Sequence, residues 1–211
     1  MKDIFSITVG RELGSGGREV ARLLAEEFQC KLYDSEILSL AAKESGFSED
    51  LFKNHDEHHG RLHNLLFSKM PNIGHAHYYS EQVSQGSLFS FQSEVIRREA
   101  ERGRCVFVGR AADYILRERN DVVSIFVYAD MDYRIQKVME RHHCTADEAR
   151  KLIHKEERKR AVYYDYYTGQ RWGERQYYDL CLNSCRLGIK GTAEIVSEYV
   201  RQRMNNDYGI K

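Results

Sequence analysis

Residues 4–28 read IFSITVGRELGSGGREVARLLAEEF, and this stretch decides the fold. Ile4 to Val9 is a short run of apolar and β-branched residues, long enough for one strand and too short for a helix. Gly10-Arg11-Glu12-Leu13-Gly14-Ser15-Gly16-Gly17-Arg18 follows without a linker. From Gly16 to Phe28 the apolar Val20, Leu23, Leu24 and Phe28 recur at helical spacing. A strand, a glycine turn and a helix N-terminus in that order aim several backbone N–H groups and the positive end of a helix dipole at one point. Phosphate suits that point, and glycine lets the chain adopt positive φ and approach it with no Cβ in the way.

The rhythm continues downstream. Apolar runs at Cys30 to Tyr33, Arg104 to Val108, Val122 to Tyr128 and Asp179 to Leu182 alternate with helix-period segments at Ser35 to Lys43, Ala111 to Arg119, Met131 to His142 and Thr192 to Arg203. Five β runs separated by helices imply a parallel sheet covered on both faces, because parallel strands need helical crossovers. Two stretches interrupt the pattern: about 46–85, polar and rich in His and Asn, and about 144–176, basic and rich in Tyr. Both are expected over the carboxyl edge of the sheet, where open α/β folds bind ligands.

The 211 residues suffice for a single domain with its own core. Lys+Arg and Asp+Glu each total 32, so the net charge is zero and nothing draws the chain toward a nucleic-acid polymer or a membrane surface. Any anion site must be local. No apolar run approaches the roughly 20 residues of a membrane span. Met1-Lys2-Asp3 leads straight into the first strand with no signal-peptide core, so a cytoplasmic location is expected. Cys30, Cys105, Cys144, Cys181 and Cys185 form no C-x-x-C pair and read as small core residues rather than disulfides or zinc ligands.

The glycine segment departs from the P-loop pattern G-x-x-x-x-G-K-[ST]. Aligned on Gly16, the lysine position holds Gly17 and the hydroxyl position Arg18; aligned on Gly17, those positions hold Arg18 and Glu19. A tight β-to-α turn with no ligand is the competing reading; dinucleotide-fold spacing is nearly available too, but its ribose-binding acid has no counterpart other than Asp34. Phosphate binding by Gly14, Ser15, Gly16, Gly17 and Arg18 is the reading we carry forward, with Arg18 supplying the missing cation. Farther along, the third strand ends in Val108-Gly109-Arg110, which sets a guanidinium at the same sheet edge, suited to a second phosphate. Glu157-Arg158-Lys159-Arg160 then concentrates cations ahead of Tyr163, Tyr164, Tyr166 and Tyr167.

Taken in order, ITVGRELGSGGREVARLLAEEF, YDSEI, CVFVGRAADYIL, RAVYYDYYTGQRWG and YDLCLNSCRLGIKG resemble the P-loop nucleoside monophosphate kinases, and most nearly the cytidylate kinase-like family. The resemblance implies a P-loop NTPase-type three-layer α/β/α fold with a five-stranded parallel sheet. It implies one kinase-like domain, with core 1–45, 86–143 and 177–211, an acceptor-binding insertion over about 46–85 and a lid over about 144–176. It further implies ATP and Mg²⁺, with the ATP phosphates on Gly14 to Arg18, the acceptor nucleotide on Arg110, and Arg158 and Arg160 reaching in as catalytic groups. The family's lid pattern D-R-x-R is met with Glu157 for the aspartate. Its aspartates flanking the Gly-Arg after strand three are Val108 and Ala111 here, so phosphoryl transfer is carried further by the likeness than cytosine recognition.

The expected activity is ATP-dependent phosphoryl transfer to a small nucleotide-like acceptor of the (deoxy)cytidine monophosphate type. A catalytically weak nucleotide-binding regulatory module and a kinase of a non-nucleotide acceptor are the alternatives. Asp34 either serves the acceptor or metal or caps the helix beginning at Ser35. His55, His59 and His63 share one face if helical, but in so polar a segment they read as solvated or substrate-facing rather than metal-ligating. Trp172 reads as a packing anchor for the chain's return to the last strand.

Overall fold

Residues 3–45 and 85–205 are described in the computed structural model. Strands β1 (Ser6–Arg11), β2 (Lys31–Tyr33), β3 (Cys105–Val108), β4 (Val122–Tyr128) and β5 (Leu180–Asn183) form one sheet in the order β2-β3-β1-β4-β5. All pairings are parallel and β1 is central, as its burial from Ser6 to Gly10 requires.

Alternation along the strands shows why helices cover both faces. Val106 and Val108 of β3 face the same way as Ile7 and Val9 of β1 and Val123, Ile125 and Val127 of β4. Against that face pack α1 (Gly17–Phe28), through Val20, Leu24 and Phe28, and α7 (Ser184–Asn205), through Val196, Val200 and Met204. Cys105 and Phe107 point to the other face, where α2 (Glu36–Ser45), α3 (Gln85–Arg102) and α4 (Ala112–Ile115) bury Ile37, Ile96 and Ile115. The result is the three-layer α/β/α arrangement. Ile7, Leu24, Ile96 and Ile125 are wholly buried, worth about 1.5–3 kcal/mol apiece. Beyond β4, α5 (Met131–His142) and α6 (Ala146–Thr168) pack on each other through Ile135, Val138, Ala149 and Ile153.

Five elements differ from the sequence reading. β1 runs two residues further than Val9 because Gly10 and Arg11 pair with Phe126 and Val127 of β4. The helix expected over Ala111 to Arg119 shrinks to α4: its chain is still reversing at Ala111, and Arg119 is held in the following turn by Asp121 at 2.9 Å. α3 had no counterpart among the helix-period segments, and the basic stretch beginning at Cys144 is mostly one helix, α6, started by a capping box between Thr145 and Glu148. The last helix begins at Ser184, broken at Gly188, ahead of the expected Thr192.

All five cysteines are unpaired. Cys105 is buried, and burial pushes its thiol up to about 12; the others are half-buried. Among the described residues no helix is long and apolar enough to cross a membrane.

Candidate active site

Past Arg11 the chain leaves the sheet, and Ser15 folds it back: its N–H and hydroxyl both donate to the Glu12 carbonyl, at 3.4 and 2.9 Å. Gly16 takes φ 77° as the N-cap of α1, a conformation costly for a residue with a Cβ. It has no side chain to occupy the first-turn amides, and those of Arg18 and Glu19 have no intrahelical partner. At the start of α7 the Ser184 hydroxyl donates to the Ser15 carbonyl. Gly14, Gly16, Gly17 and Arg18 line a cleft of about 480 Å³. Ser15, expected beside them, is fully buried and does not line it; its hydroxyl shapes the loop.

One strand over, Val9 stands opposite Val108, and each is followed by Gly-Arg. The Arg11 side chain passes between two glycines. A Cβ on Gly17 would lie 2.5 Å from Arg11 Cβ, and one on Gly109 would lie 2.0 Å from Arg11 Nη1. Gly109, Arg110 and Ala111 all have positive φ, the last two at 62° and 52°. Left-handed backbone costs a non-glycine residue roughly 1–2 kcal/mol, and such strain concentrates at functional sites. Gln92 of α3, itself buried, holds the turn by donating to the Arg110 carbonyl at 3.2 Å and to the Tyr163 hydroxyl at 2.7 Å.

The four residues Glu157 to Arg160 separate around α6. Arg160 Nη1 donates to the Arg11 carbonyl at 3.0 Å. Glu157, the match to the lid pattern's acid, is ion-paired with the buried Arg134 of α5, whose Nε lies 3.3 Å from Glu12. Lys159 pairs with Glu156 at 3.0 Å. Arg158 is exposed and lines neither cleft described here.

A second cleft, about 490 Å³, lies beyond Arg110. Arg11, Arg110, Lys159 and Arg160 supply its cations; Tyr163, Tyr164, Tyr178 and Trp172 form an aromatic wall. Trp172 packs edge-on against Phe126 of β4, ring centroids 5.4 Å apart, so it is the expected packing anchor and a cleft wall together. Asp113 accepts a 2.6 Å hydrogen bond from Tyr164, yet burial raises its pKa above the usual carboxylate range. Among the described residues, Arg11 and Arg160 alone line both clefts.

Three guanidinium groups, those of Arg11, Arg110 and Arg160, gather at this junction. Burial lowers the pKa of Arg11, Arg110 and Arg160; for Arg11, the charges of Arg160, Arg110 and Arg18 act the same way and that of Asp34 opposes them. Asp34 is ion-paired with Arg18 and lines the glycine-loop cleft, whereas its neighbour Ser35 lines the second. A cluster of guanidinium groups at a cleft junction is suited to polyanionic ligands. Among the described residues no group of three or more His, Cys, Asp or Glu could hold a metal ion. His55, His59 and His63 lie outside the described residues.

The family model described as the cytidylate kinase-like family matches residues 6–186. The chain belongs to that family. A cytidylate kinase of Pyrococcus horikoshii is 27% identical over 200 residues, covering 92% of this chain and 88% of the relative. An uncharacterised protein of Eubacterium ventriosum has a solved structure that is 25% identical, with TM-score 0.69, covering 93% of this chain and 98% of its own. A shikimate kinase structure from Bacteroides thetaiotaomicron, 12% identical with TM-score 0.53 and covering 94% and 99%, shares the fold. Membership of the cytidylate kinase-like family supports nucleotide-kinase activity. Arg11, which lines both clefts, was not among the site residues expected from sequence. Its signal was present: Val-Gly-Arg occurs at 9–11 and again at 108–110, at the ends of adjacent strands.

Proposed function

We propose that this protein is an ATP-dependent nucleoside monophosphate kinase, with a cytidine monophosphate-type nucleotide as acceptor. The observation that carries the reading is the pair of clefts meeting at Arg11 and Arg160. A transferase of two anionic substrates needs two sites and a common boundary where the moving group passes. ATP phosphates would rest on Gly14, Gly16, Gly17 and the first amides of α1, with Arg18 at the rim. Mg²⁺ would enter as part of the ATP complex, since this ion keeps several waters and is held largely by substrate phosphates. The acceptor's phosphate would face Arg110, with its base toward the aromatic wall.

In the reaction an acceptor phosphate oxygen bonds to the γ-phosphorus while the bond to the β,γ-bridging oxygen breaks, releasing ADP. A phosphate oxygen is already ionised at neutral pH, so no general base is required. What the protein must supply is alignment and positive charge around the transferring group, and Arg160, lining both clefts, would supply part of that charge.

The test is ADP formation with a panel of acceptors: CMP, dCMP, UMP, AMP, GMP and shikimate. Turnover only when a pyrimidine monophosphate is added supports the reading. Turnover with shikimate alone makes the acceptor a non-nucleotide. The absence of a loop lysine favours one further alternative, a binding module, which would show thermal stabilisation by ATP with no acceptor-dependent ADP.

A further inference from the structure

Resting on this kinase reading, we propose that Arg11 is the catalytic cation bridging the donor and acceptor phosphates during transfer. Arg18 stands elsewhere: its side chain is 64% exposed and ion-paired with Asp34 at the rim of the loop. Arg11 instead extends from the central strand along the floor where the two clefts join.

Three independent features support the assignment. Arg11 lines both clefts, a property shared among the described residues only with Arg160. Its side chain is accommodated by missing Cβ atoms at two places far apart in sequence, Gly17 at the root of the chain and Gly109 at the guanidinium. Finally, no carboxylate among the described residues pairs with it: Asp34 goes to Arg18, Glu12 and Glu157 to Arg134, and Glu156 to Lys159. A purely structural arginine would be placed beside a counter-ion, because burying an uncompensated charge is costly. Here Arg160 and Arg110 stand beside it, and the opposing charge of Asp34 is shared with Arg18. Phosphates arriving from both clefts would supply the compensation. Being planar with five donors, the guanidinium can address an oxygen of each phosphate at once. It remains protonated throughout; the only bonds that change are those to the γ-phosphorus.

The experiment uses the full chain with Arg11→Gln and Arg11→Lys. Three probes are compared: ATP alone, CMP alone, and a bisubstrate compound joining adenosine and cytidine through a phosphate chain. If Arg11 bridges, Arg11→Gln lowers turnover about 10³-fold, the scale of a transition-state arginine, while each single nucleotide weakens by less than about tenfold. Its affinity for the bisubstrate compound falls by more than the two single-nucleotide losses multiplied together. Arg11→Lys recovers part of the turnover. Because Arg11→Gln removes one charge from a like-charged cluster, its ligand-free thermal transition stands at or above the parent's, which separates lost catalysis from lost folding.

Parent-like turnover in Arg11→Gln overturns the proposal, as does a bisubstrate loss no larger than the loss for ATP alone. A variant that binds none of the probes and has no folded transition makes Arg11 structural and also overturns it. If the parent itself neither turns over nor holds the bisubstrate compound, the kinase reading falls, and this proposal with it.

Discussion

Arg18, the first residue past the loop glycines, is ion-paired with Asp34 at the end of β2 and not with the carboxylates nearest it in sequence. Glu19 is taken by Arg141 of α5, and Glu12 lies against Arg134. Asp34 therefore offers its negative charge at the rim that ATP phosphates would approach. Asp34→Asn should tighten ATP binding by up to about fivefold, the scale of a solvent-screened ion pair, and should lower the ligand-free thermal transition. Isothermal titration with ATP, beside thermal denaturation without it, checks both directions. Arg18→Ala should weaken ATP binding instead.

Arg158 and Arg160 are neighbours in the family-like motif but not in space. Arg160 is bonded to the Arg11 carbonyl between the clefts; Arg158 is exposed on another side of α6. Arg160→Ala should lower turnover about 10³-fold with a much smaller change in ATP affinity, and Arg158→Ala should leave both within about threefold. Steady-state kinetics on the two variants decide it. Equal losses would mean that α6 turns its other face to the substrate during turnover.

The order strand, glycine loop, helix is readable from local pattern alone, because period-two and period-3.6 spacing are properties of neighbouring residues. The sheet's five strands follow from the same rule. What escapes is helical phase and distant pairing. Glu157 to Arg160 resemble the family's lid pattern, but successive residues of a helix point about 100° apart, and nothing in the spelling tells which one faces inward. Glu157 proves to be Arg134's partner. Arg11 escapes for a related reason: as one residue of a glycine turn it looks like connection, and its position becomes meaningful only once Val9 is opposite Val108. Asp34 could be read as acceptor ligand or helix cap, and the pairing with Arg18 depends on how β2 closes against α1.

Arg134 connects the loop to both α5 and α6. Its side chain is 6% exposed, and its two carboxylate partners come from Glu12 and Glu157. Removing one member of a buried pair leaves an unpaired charge, which costs about 3–5 kcal/mol. Arg134→Ala should lower the urea-unfolding free energy by that amount. It should also weaken ATP binding, since Gly14 packs directly on the Arg134 backbone: a Cβ there would lie 2.7 Å from the Arg134 carbonyl oxygen. Glu157→Gln, which leaves Glu12 in place, should cost less. A small effect of Arg134→Ala on stability would show the network to be well solvated.

Acid sensitivity should come from Glu99, where α3 meets the sheet. Burial by itself would raise its pKa, but the hydrogen bond from Tyr33 and the charges of Lys31 and Arg102, with a contribution from Arg98, hold it below the ordinary 4.5. The unfolded chain then binds the proton more readily than the folded one. Stability from this group is complete above about 4.5 and is lost as pH falls through the folded value. Asp113 has the opposite sign: burial raises its pKa from 3.8, so its contribution is full at low pH and is lost as pH rises through the folded value. Urea-unfolding midpoints followed across acid pH should lose their steep acid limb in Glu99→Gln. In Asp113→Asn the curve should instead rise more steeply toward neutrality. An unchanged acid limb in Glu99→Gln would place the acid-labile group elsewhere.

Gly109 links the backbone turn after β3 to the chemistry at Arg11, and Gly109→Ala separates two costs that usually arrive together. At φ 74° the residue lies in the left-handed region, so an added Cβ costs roughly 1–2 kcal/mol of backbone strain. The same Cβ would meet Arg11 Nη1 at 2.0 Å and Cζ at 3.1 Å. Those atoms are the far end of a flexible side chain and can swing away, so the collision adds little to the loss of stability. It does take the guanidinium off the boundary between the clefts. Gly109→Ala should therefore unfold with only a modest shift in its urea midpoint yet lose turnover approaching that of Arg11→Gln, while ATP binding at the glycine loop, formed on the other side of Arg11, changes far less. The informative control is Gly109→Ala combined with Arg11→Gln. If the alanine acts by displacing Arg11, the double variant turns over no more slowly than Arg11→Gln alone, because residues acting through one interaction are not additive. Multiplied losses in the double variant would show that Gly109 matters for the Arg110 turn and not for the position of Arg11.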